Sequence, residues 1–208
     1  MKSASKLFMY FIISFLVIVF YSCARFGSEG KLIMSEGNLS FLKNEKVVKV
    51  KYEYDGMTVG KMTENEYIQK KTSELNKKNS GEGFEWLKNW KNYRTSLYQP
   101  QFEENVNKSL NGKLVVRSDT VDVKYTMTLK TVFTEPGYAN PFASNGASIN
   151  VLIIFTETKN PEKILASFKI DKITSSSFGG ATDDLGARIA ESYVKCGKRL
   201  GSLLEEEL

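Results

Sequence analysis

The chain has no histidine and only two cysteines among its 208 residues. Without histidine it can form neither a Ser-His-Asp triad nor a Cys-His pair, and it lacks the commonest zinc ligand. An enzyme with this sequence would have to work with carboxylates, lysines or hydroxyl groups alone. We therefore expect no cofactor and no metal site.

Charge of one sign is also never concentrated in one part of the chain. Lysine and arginine together number 29, aspartate and glutamate number 24, and both kinds are spread over the two halves of the sequence. A basic tail or stripe, which is typical of proteins that bind nucleic acid, is missing. We expect no nucleic-acid partner.

The one long uncharged run lies at the N-terminus. It covers residues 7–20, follows Lys2 and Lys6, and ends shortly before Cys23. A basic segment before an apolar run of this length is typical of a secretory signal, and the run is short for a membrane span. With its cysteine, the segment resembles the signal of bacterial lipoproteins, in which that cysteine carries lipid. The resemblance implies a signal peptide over residues 1–22 and acylation of Cys23.

Acyl chains on Cys23 would attach the protein to a membrane, because two or more chains hold a protein there stably. In lipoproteins of this kind a non-acidic residue after the cysteine, here Ala24, implies the outer membrane, and we expect the protein on its periplasmic face. Residues 23–30 then form a tether, and residues 31–208 form a single domain that is long enough to bury a core. The alternatives are an uncleaved anchor, an ordinary signal cleaved nearby, or a disulfide between Cys23 and Cys196.

The first half of the domain predicts one or two short strands, a longer strand and three helices. Apolar and polar residues alternate over 46–54, which is typical of a half-buried strand. A capping-box spacing of Thr63 and Glu66 then begins a helix over 63–78. Aromatic residues recur at helical spacing over 84–98, and a proline suits the first turn of a third helix over 99–112.

The second half predicts three strands and a long C-terminal helix. Alternation over 121–133 and 147–158, followed by a turn at 159–162 and a strand over 163–171, is typical of an antiparallel meander. From about residue 182 onward, apolar residues recur every three or four positions, which indicates a helix with one buried face.

The order of these elements predicts the fold class. A strand, a set of helices and a second strand favour a right-handed parallel connection, so strand 46–54 should pair in parallel with a strand within 113–133. The class is therefore α+β: a mixed, largely antiparallel sheet with helices packed on it and a long C-terminal helix. In the final helix we expect Cys196 to be an inert core thiol. We expect its glycines to allow close packing on the sheet: Gly186, Gly197 and Gly201.

In this arrangement three irregular loops, over 54–61, 134–146 and 175–184, should share one end of the sheet. Loops on a rigid scaffold often hold ligands, so their polar residues are the candidates for ligand binding. These candidates are Asp55, Glu135, Tyr138, Asn140 and Asp183. The simpler interpretation is that the same residues only form turns and a helix cap.

The aromatic stretch over 84–98 is a second candidate surface. Trp86, Trp90, Tyr93 and Tyr98 alternate there with lysines and could bind a glycan or a peptide by stacking. The helical spacing favours the simpler interpretation, which is a helix that buries one aromatic side.

Two segments of the second half carry a further resemblance: "FTEPGYANPFASNGASINVLIIFTETKNPEKILASFKI" and "DLGARIAESYVKCGKRLGSLL". In pattern they are similar to a group of small uncharacterised lipoproteins of Gram-negative bacteria, over most of the mature chain. The group implies an α+β domain behind a lipobox, and it implies no activity.

The function that we predict from the sequence is that of a lipid-anchored cell-envelope protein with a non-catalytic binding or scaffolding role. Its partners would be the membrane, through acyl chains on Cys23, and a protein or glycan of the envelope. The alternative is an envelope hydrolase that acts on glycan or peptide through rim carboxylates such as Asp55 and Glu135. A third hypothesis is an inhibitor or assembly subunit that uses the aromatic helix face.

Overall fold

The computed structural model describes residues 29–139, 144–176 and 184–208, and every structural statement below concerns these residues. The predicted signal peptide and Cys23 lie outside them, as do Asn140 and Asp183 of the candidate site. None of the helices in these ranges is long and apolar enough to cross a membrane.

The elements follow the predicted order. The strands are β1 (Glu29–Gly37), β2 (Val47–Glu53), β3 (Thr58–Val59), β4 (Met62–Thr63), β5 (Val115–Arg117), β6 (Tyr125–Glu135), β7 (Tyr138–Ala139), β8 (Ser144–Asn145), β9 (Ser148–Glu157) and β10 (Asn160–Thr174). The helices are α1 (Glu64–Lys78), α2 (Glu82–Tyr93), α3 (Gln99–Leu110) and α4 (Leu185–Glu207). A short 3₁₀ turn lies at Ser40–Leu42, and a π-helical segment, Arg94–Tyr98, joins α2 to α3.

The main sheet has the strand order β1-β10-β9-β6-β2-β5, with β3 pairing beside β6 and β4 beside β3. Strand β2 runs parallel to both β5 and β6, which confirms the parallel connection across the helices. The pairs β6–β9, β9–β10 and β10–β1 are antiparallel. The α+β class is therefore confirmed: a mixed, largely antiparallel sheet with helices packed on it and a long C-terminal helix.

Two strand boundaries differ from the pattern in the sequence. Strand β6 begins at Tyr125 and not at Val121, because Asp122 has φ 54° and leaves the extended conformation, and the Val121 side chain is 75% exposed. The turn between β9 and β10 covers only residues 158–159, because Asn160 already pairs with Glu157. The proline that follows is tolerated because the register shifts after Asn160.

Helix α4 packs along β9 and β10 on one side and against α3 on the other. The face of the sheet that it covers is identified by the hydroxyl of Tyr193, which lies 2.6 Å from the hydroxyl of Thr131 on β6. The fully buried residues of this layer include Val151, Ile153, Phe168, Ile170 and Leu200. The core thus lies between one face of the sheet and the helices.

The glycines of α4 allow a close approach of α3 and α2, which corrects the predicted role of packing on the sheet. A Cβ at Gly197 would lie 2.6 Å from the carbonyl oxygen of Phe102, and a Cβ at Gly201 would lie 2.7 Å from that of Val106. At Gly186 the nearest atoms belong to the Tyr93 ring, 2.8 Å away. Real Cβ atoms do not approach backbone so closely, so α3 and α4 can pack at this distance only because the side chains are absent.

We expect Gly197→Ala to destabilise the protein by about 1–3 kcal/mol, the usual cost of overpacking a filled interface. Alanine alone would favour the helix by about 1 kcal/mol over glycine, so a net loss isolates the clash with Phe102. Chemical denaturation followed by circular dichroism measures the change, with Ser202→Ala on the exposed side of the same helix as the control. A Gly197→Ala protein as stable as the control would show that α3 and α4 can separate without cost.

Candidate functional site

The described parts of the loops that were predicted to meet lie together at one end of the sheet. The N–H of Gly60 donates to the carbonyl of Thr134 at 2.9 Å, which fastens the loop after β2 to the end of β6. The N–H of Ser175 donates to the carbonyl of Ala147 at 2.8 Å, which fastens the end of β10 to the start of β9. We call the described residues of these loops, 54–65, 134–139, 144–147 and 175–176, the rim.

A cleft of about 340 Å³ opens on the rim. It forms because the chain leaves β2 in a tight turn, in which the N–H of Met57 donates to the carbonyl of Tyr54 at 3.1 Å and Gly56 supplies the left-handed φ of 76°. The chain then returns through β3 and β4 to the first turn of α1. This rim cleft is lined by Tyr54, Asp55, Gly56, Met57, Thr63, Glu64 and Asn65.

The predicted capping box orients the start of α1 at this cleft. The hydroxyl of Thr63 accepts from the N–H of Glu66 at 3.3 Å, and the carboxylate of Glu66 accepts from the N–H of Thr63 at 2.8 Å. These hydrogen bonds to Thr63 lower the pKa of Glu66. The box fixes the neighbouring Glu64 in the first helical turn, on the wall of the rim cleft.

Two side chains hold the Glu64 carboxylate in place, one from α2 and one from the π-helical segment that follows it. Its Oε1 atom accepts from the indole N–H of Trp90 at 2.7 Å and forms an ion pair with Arg94. The Arg94 guanidinium also lies 4.2 Å from the centre of the Tyr54 ring, a cation–π contact. The side chains of Glu64 and Arg94 are only about one-fifth exposed, so this wall of the cleft is a fixed polar surface.

Arg94 is the first residue of the π-helical segment. A π-turn inserts an extra residue into a helix and shifts the direction of the side chains that follow, and such turns recur at functional sites. Here the segment places Arg94 against Glu64 and the Tyr54 ring, which line the cleft, and one turn later it places Tyr98 in the core. The sequence predicted a break between two helices at this point, whereas the structure has one continuous helical run over 82–110.

A pair of stacked tyrosines lies directly behind this wall. The rings of Tyr98 and Tyr193 are 5.0 Å apart and inclined by only 4°. Tyr193 is bonded to Thr131, whereas the hydroxyl of Tyr98 has no hydrogen-bond partner among the described residues. Burial raises the pKa of both phenols, because it disfavours the charged phenolate. Both therefore stay protonated at neutral pH.

The predicted site residues occupy different parts of the rim. Asp55 is exposed and lines the rim cleft. Glu135 is half-buried at the end of β6, and its carboxylate lies close to Gly60, 3.4 Å from where a Cβ of that residue would be. Burial raises the pKa of the Tyr67 phenol, and the charge of Glu135 raises it further. Tyr138 lies on β7 and is 51% exposed. Asn140 and Asp183 lie outside the described residues.

The hydrolase hypothesis depends on a pairing of Asp55 with Glu135. The lining of the rim cleft includes Asp55 but not Glu135. Its second carboxylate is that of Glu64, which is already engaged by Trp90 and Arg94. Among the described residues, no group of three or more acidic or thiol side chains is placed to hold a metal ion.

The sequence does not single out Glu64 and Arg94 as site residues. It predicts Trp90 as part of the aromatic stretch over 84–98, which is a candidate surface separate from the rim. The available signal was the placement of Arg94 four residues after Trp90, which puts both on one helical face. Nothing local in the sequence indicates that α1 returns to meet this face.

The aromatic stretch over 84–98 is mostly packed inside, so the interpretation of a helix with one buried aromatic side is confirmed. Trp90 is 4% exposed and Trp86 stacks on it at 5.5 Å, with the ring of Tyr67 edge-on to Trp86. The exposed large hydrophobic side chain of this stretch is Phe84. Cys196 is also buried, and burial raises the pKa of its thiol, as expected for an inert core cysteine.

A second, wider depression of about 590 Å³ lies at the opposite end of the sheet. Its lining comes from the turn between β9 and β10 and the approach to β6: Asp122, Val123, Lys124, Glu157, Thr158 and Lys159. All of these residues are exposed or half-buried. The rim cleft is the better candidate because its wall is fixed by a partly buried hydrogen bond and an ion pair.

The two stacked tyrosines provide a matched pair of variants. Tyr193→Phe leaves the hydroxyl of the fully buried Thr131 without its partner, and we expect a loss of about 1–3 kcal/mol of stability. Tyr98→Phe removes a buried hydroxyl that has no hydrogen-bond partner among the described residues while keeping the ring, so we expect no loss of stability and a gain of up to about 1–3 kcal/mol. Urea denaturation of the two variants beside the wild type measures both. Equal losses in the two proteins would contradict this assignment of the hydrogen bond.

Comparison with known proteins gives distant structural similarities. No family model and no curated protein matches the chain. Among solved structures, the PelC dodecamer from Paraburkholderia phytofirmans is similar over 85% of this chain and 97% of that chain, with 13% sequence identity and a TM-score of 0.42. A Xanthomonas campestris protein of the DUF330 family model is similar over 52% of this chain and 61% of its own, with 17% identity and a TM-score of 0.35. We draw no functional conclusion from similarities this distant.

Proposed function

We propose that the protein is a lipid-anchored component of the bacterial cell envelope that binds a protein or glycan partner at the rim cleft and performs no chemistry on it. The anchor is the acylated Cys23, and the periplasmic face of the outer membrane is its location. The observation that carries the binding role is the rim cleft itself, whose polar wall is fixed by the contacts of Glu64 with Trp90 and Arg94.

The chemistry of the cleft suits binding better than catalysis. Asp55 and Asn65 present exposed hydrogen-bonding groups beside the ring of Tyr54, a combination that fits hydroxyl or amide groups of a ligand. Glycoside hydrolysis requires two carboxylates with separate acid and base roles. The lining of the rim cleft contains two carboxylates, Asp55 and Glu64. Because Glu64 forms an ion pair with Arg94, Asp55 is the carboxylate of this lining that remains for acid or base catalysis.

A preformed wall also reduces the cost of binding. The Glu64 and Arg94 side chains would otherwise lose conformational freedom when a ligand ordered them, at about 0.5–1.5 kcal/mol for each immobilised side chain. In this structure they are already held by Trp90 and Tyr54. The cleft therefore needs little rearrangement to accept a partner.

The anchor is tested by the intact mass of the membrane-extracted protein. We expect a mature N-terminus at Cys23 with added acyl mass, and we expect Cys23→Ala to lose that mass and leave the membrane fraction. Cys196→Ala is the matched control, because its thiol is buried in the domain and it should keep the lipid. An unacylated mass, or an uncleaved chain in the wild type, would overturn the proposed anchor.

The binding role is tested by site-specific photocrosslinking in cells. A benzoylphenylalanine at position 65, which is exposed in the cleft, should give a discrete adduct with an envelope protein or glycan, and Asp55→Asn should reduce its yield severalfold. The same probe at position 121, which is 75% exposed and lies before β6 at the far end, is the control. Equal adducts at both positions, or an adduct at position 121 alone, would contradict binding at the rim cleft.

A further inference from the structure

We infer that the rim, with its cleft, faces the lipid bilayer, so that the membrane surface is itself a contact surface of this protein. The inference rests on the proposed acylation of Cys23 and adds an orientation to it. It follows from the point at which the chain enters the sheet.

The first strand starts at the rim. Strand β1 is antiparallel to β10, with Glu29 opposite Ile173, one residue before β10 ends at Thr174. At the other end of β1, Gly37 lies opposite Ala166, in the middle of β10. The chain therefore enters the domain beside the same strand end that carries Ser175 and the rim, and it runs away from the rim from there.

The segment between Cys23 and Glu29 is too short to let the opposite end of the sheet, and not the rim, face the membrane. Glu29 follows Cys23 by six residues, which span at most about 22 Å even when fully extended. Strand β10 has 15 residues and is about 45 Å long at roughly 3.3 Å per residue. A lipid on Cys23 thus holds the rim near the bilayer, while the turn at 158–159 lies a strand length away.

The side chains of the rim suit an interfacial position. Tyr138, which is 51% exposed on β7, presents an amphipathic ring of the kind enriched at membrane–water interfaces. The exposed charges at this end of the sheet include both signs, among them Asp55, Lys61 and Lys172. The contact is therefore set by the tether and by aromatic packing, and we expect its orientation to change little with salt.

This orientation defines the direction from which a partner reaches the rim cleft. Asp55 and Asn65 line the cleft at the membrane-facing end, so a ligand must approach along the bilayer surface. The partner chemistry that fits is a segment of protein or glycan lying within about 20 Å of the lipid headgroups, given the reach of the tether.

Energy transfer from the protein to the membrane tests the orientation. The acylated full-length protein is placed in vesicles of phosphatidylethanolamine and phosphatidylglycerol that carry an acceptor dye on their headgroups. A donor dye is attached at Tyr138→Cys or, as the matched control, at Asn160→Cys, which is exposed at the start of β10. Cys196 is fully buried and should not label, which the parent protein checks.

We expect transfer from position 138 to be at least twofold more efficient than from position 160. A flexible insertion of about 20 glycine and serine residues after Gly27 should reduce this difference, because it adds up to about 70 Å of reach when fully extended, which is more than the length of β10. Equal or reversed efficiencies in a protein whose mass confirms the acyl chains would overturn the orientation and leave the anchor intact. An unacylated protein that does not bind the vesicles would overturn both.

Discussion

The hydrogen bond between Tyr193 and Thr131 is the contact on which the remaining architecture of the site depends. It ties the C-terminal helix to the central strand β6 at a point where both residues are fully buried. The ring of Tyr193 then provides the flat surface on which Tyr98 stacks. Through Tyr98 the π-helical segment is set at a fixed height above the sheet, and that height determines where Arg94 can reach.

From this point, a chain of contacts leads outward to the rim cleft. Arg94 is placed over the ring of Tyr54 and beside Glu64, and Trp90 supplies a second hydrogen bond to the same carboxylate. The charges of Glu64 and Arg94 compensate each other, and Trp90 adds a hydrogen bond, which lowers the cost of placing these two side chains in a partly buried wall. The outer residues of the cleft are exposed and free to contact a partner.

The sequence predicts the fold more completely than the site, and the reason is the range of the interactions involved. Alternation in β2 and the spacing of Thr63 and Glu66 are local signals, and both elements occur where those signals place them. Strand β6 was predicted to begin too early because Asp122 takes a left-handed conformation that alternation does not reveal. The bond between Glu64 and Trp90 joins residues 26 positions apart, and no spacing rule encodes it. The loops of the rim could be placed together from topology, whereas the partners of each side chain could not.

The pairing of β1 with β10 has a consequence for how the protein folds. It joins residues 29–37 to residues 166–173, so the first strand cannot pair until one of the last strands has formed. Contacts between such distant parts of a chain make folding slow, since the long loop must close before the contact can stabilise anything. During synthesis the chain emerges with β1 first, and that strand stays unpaired until nearly all of the domain has followed. Unpaired strand edges are prone to aggregate, which makes the interval before β10 arrives the period in which this protein most needs a chaperone.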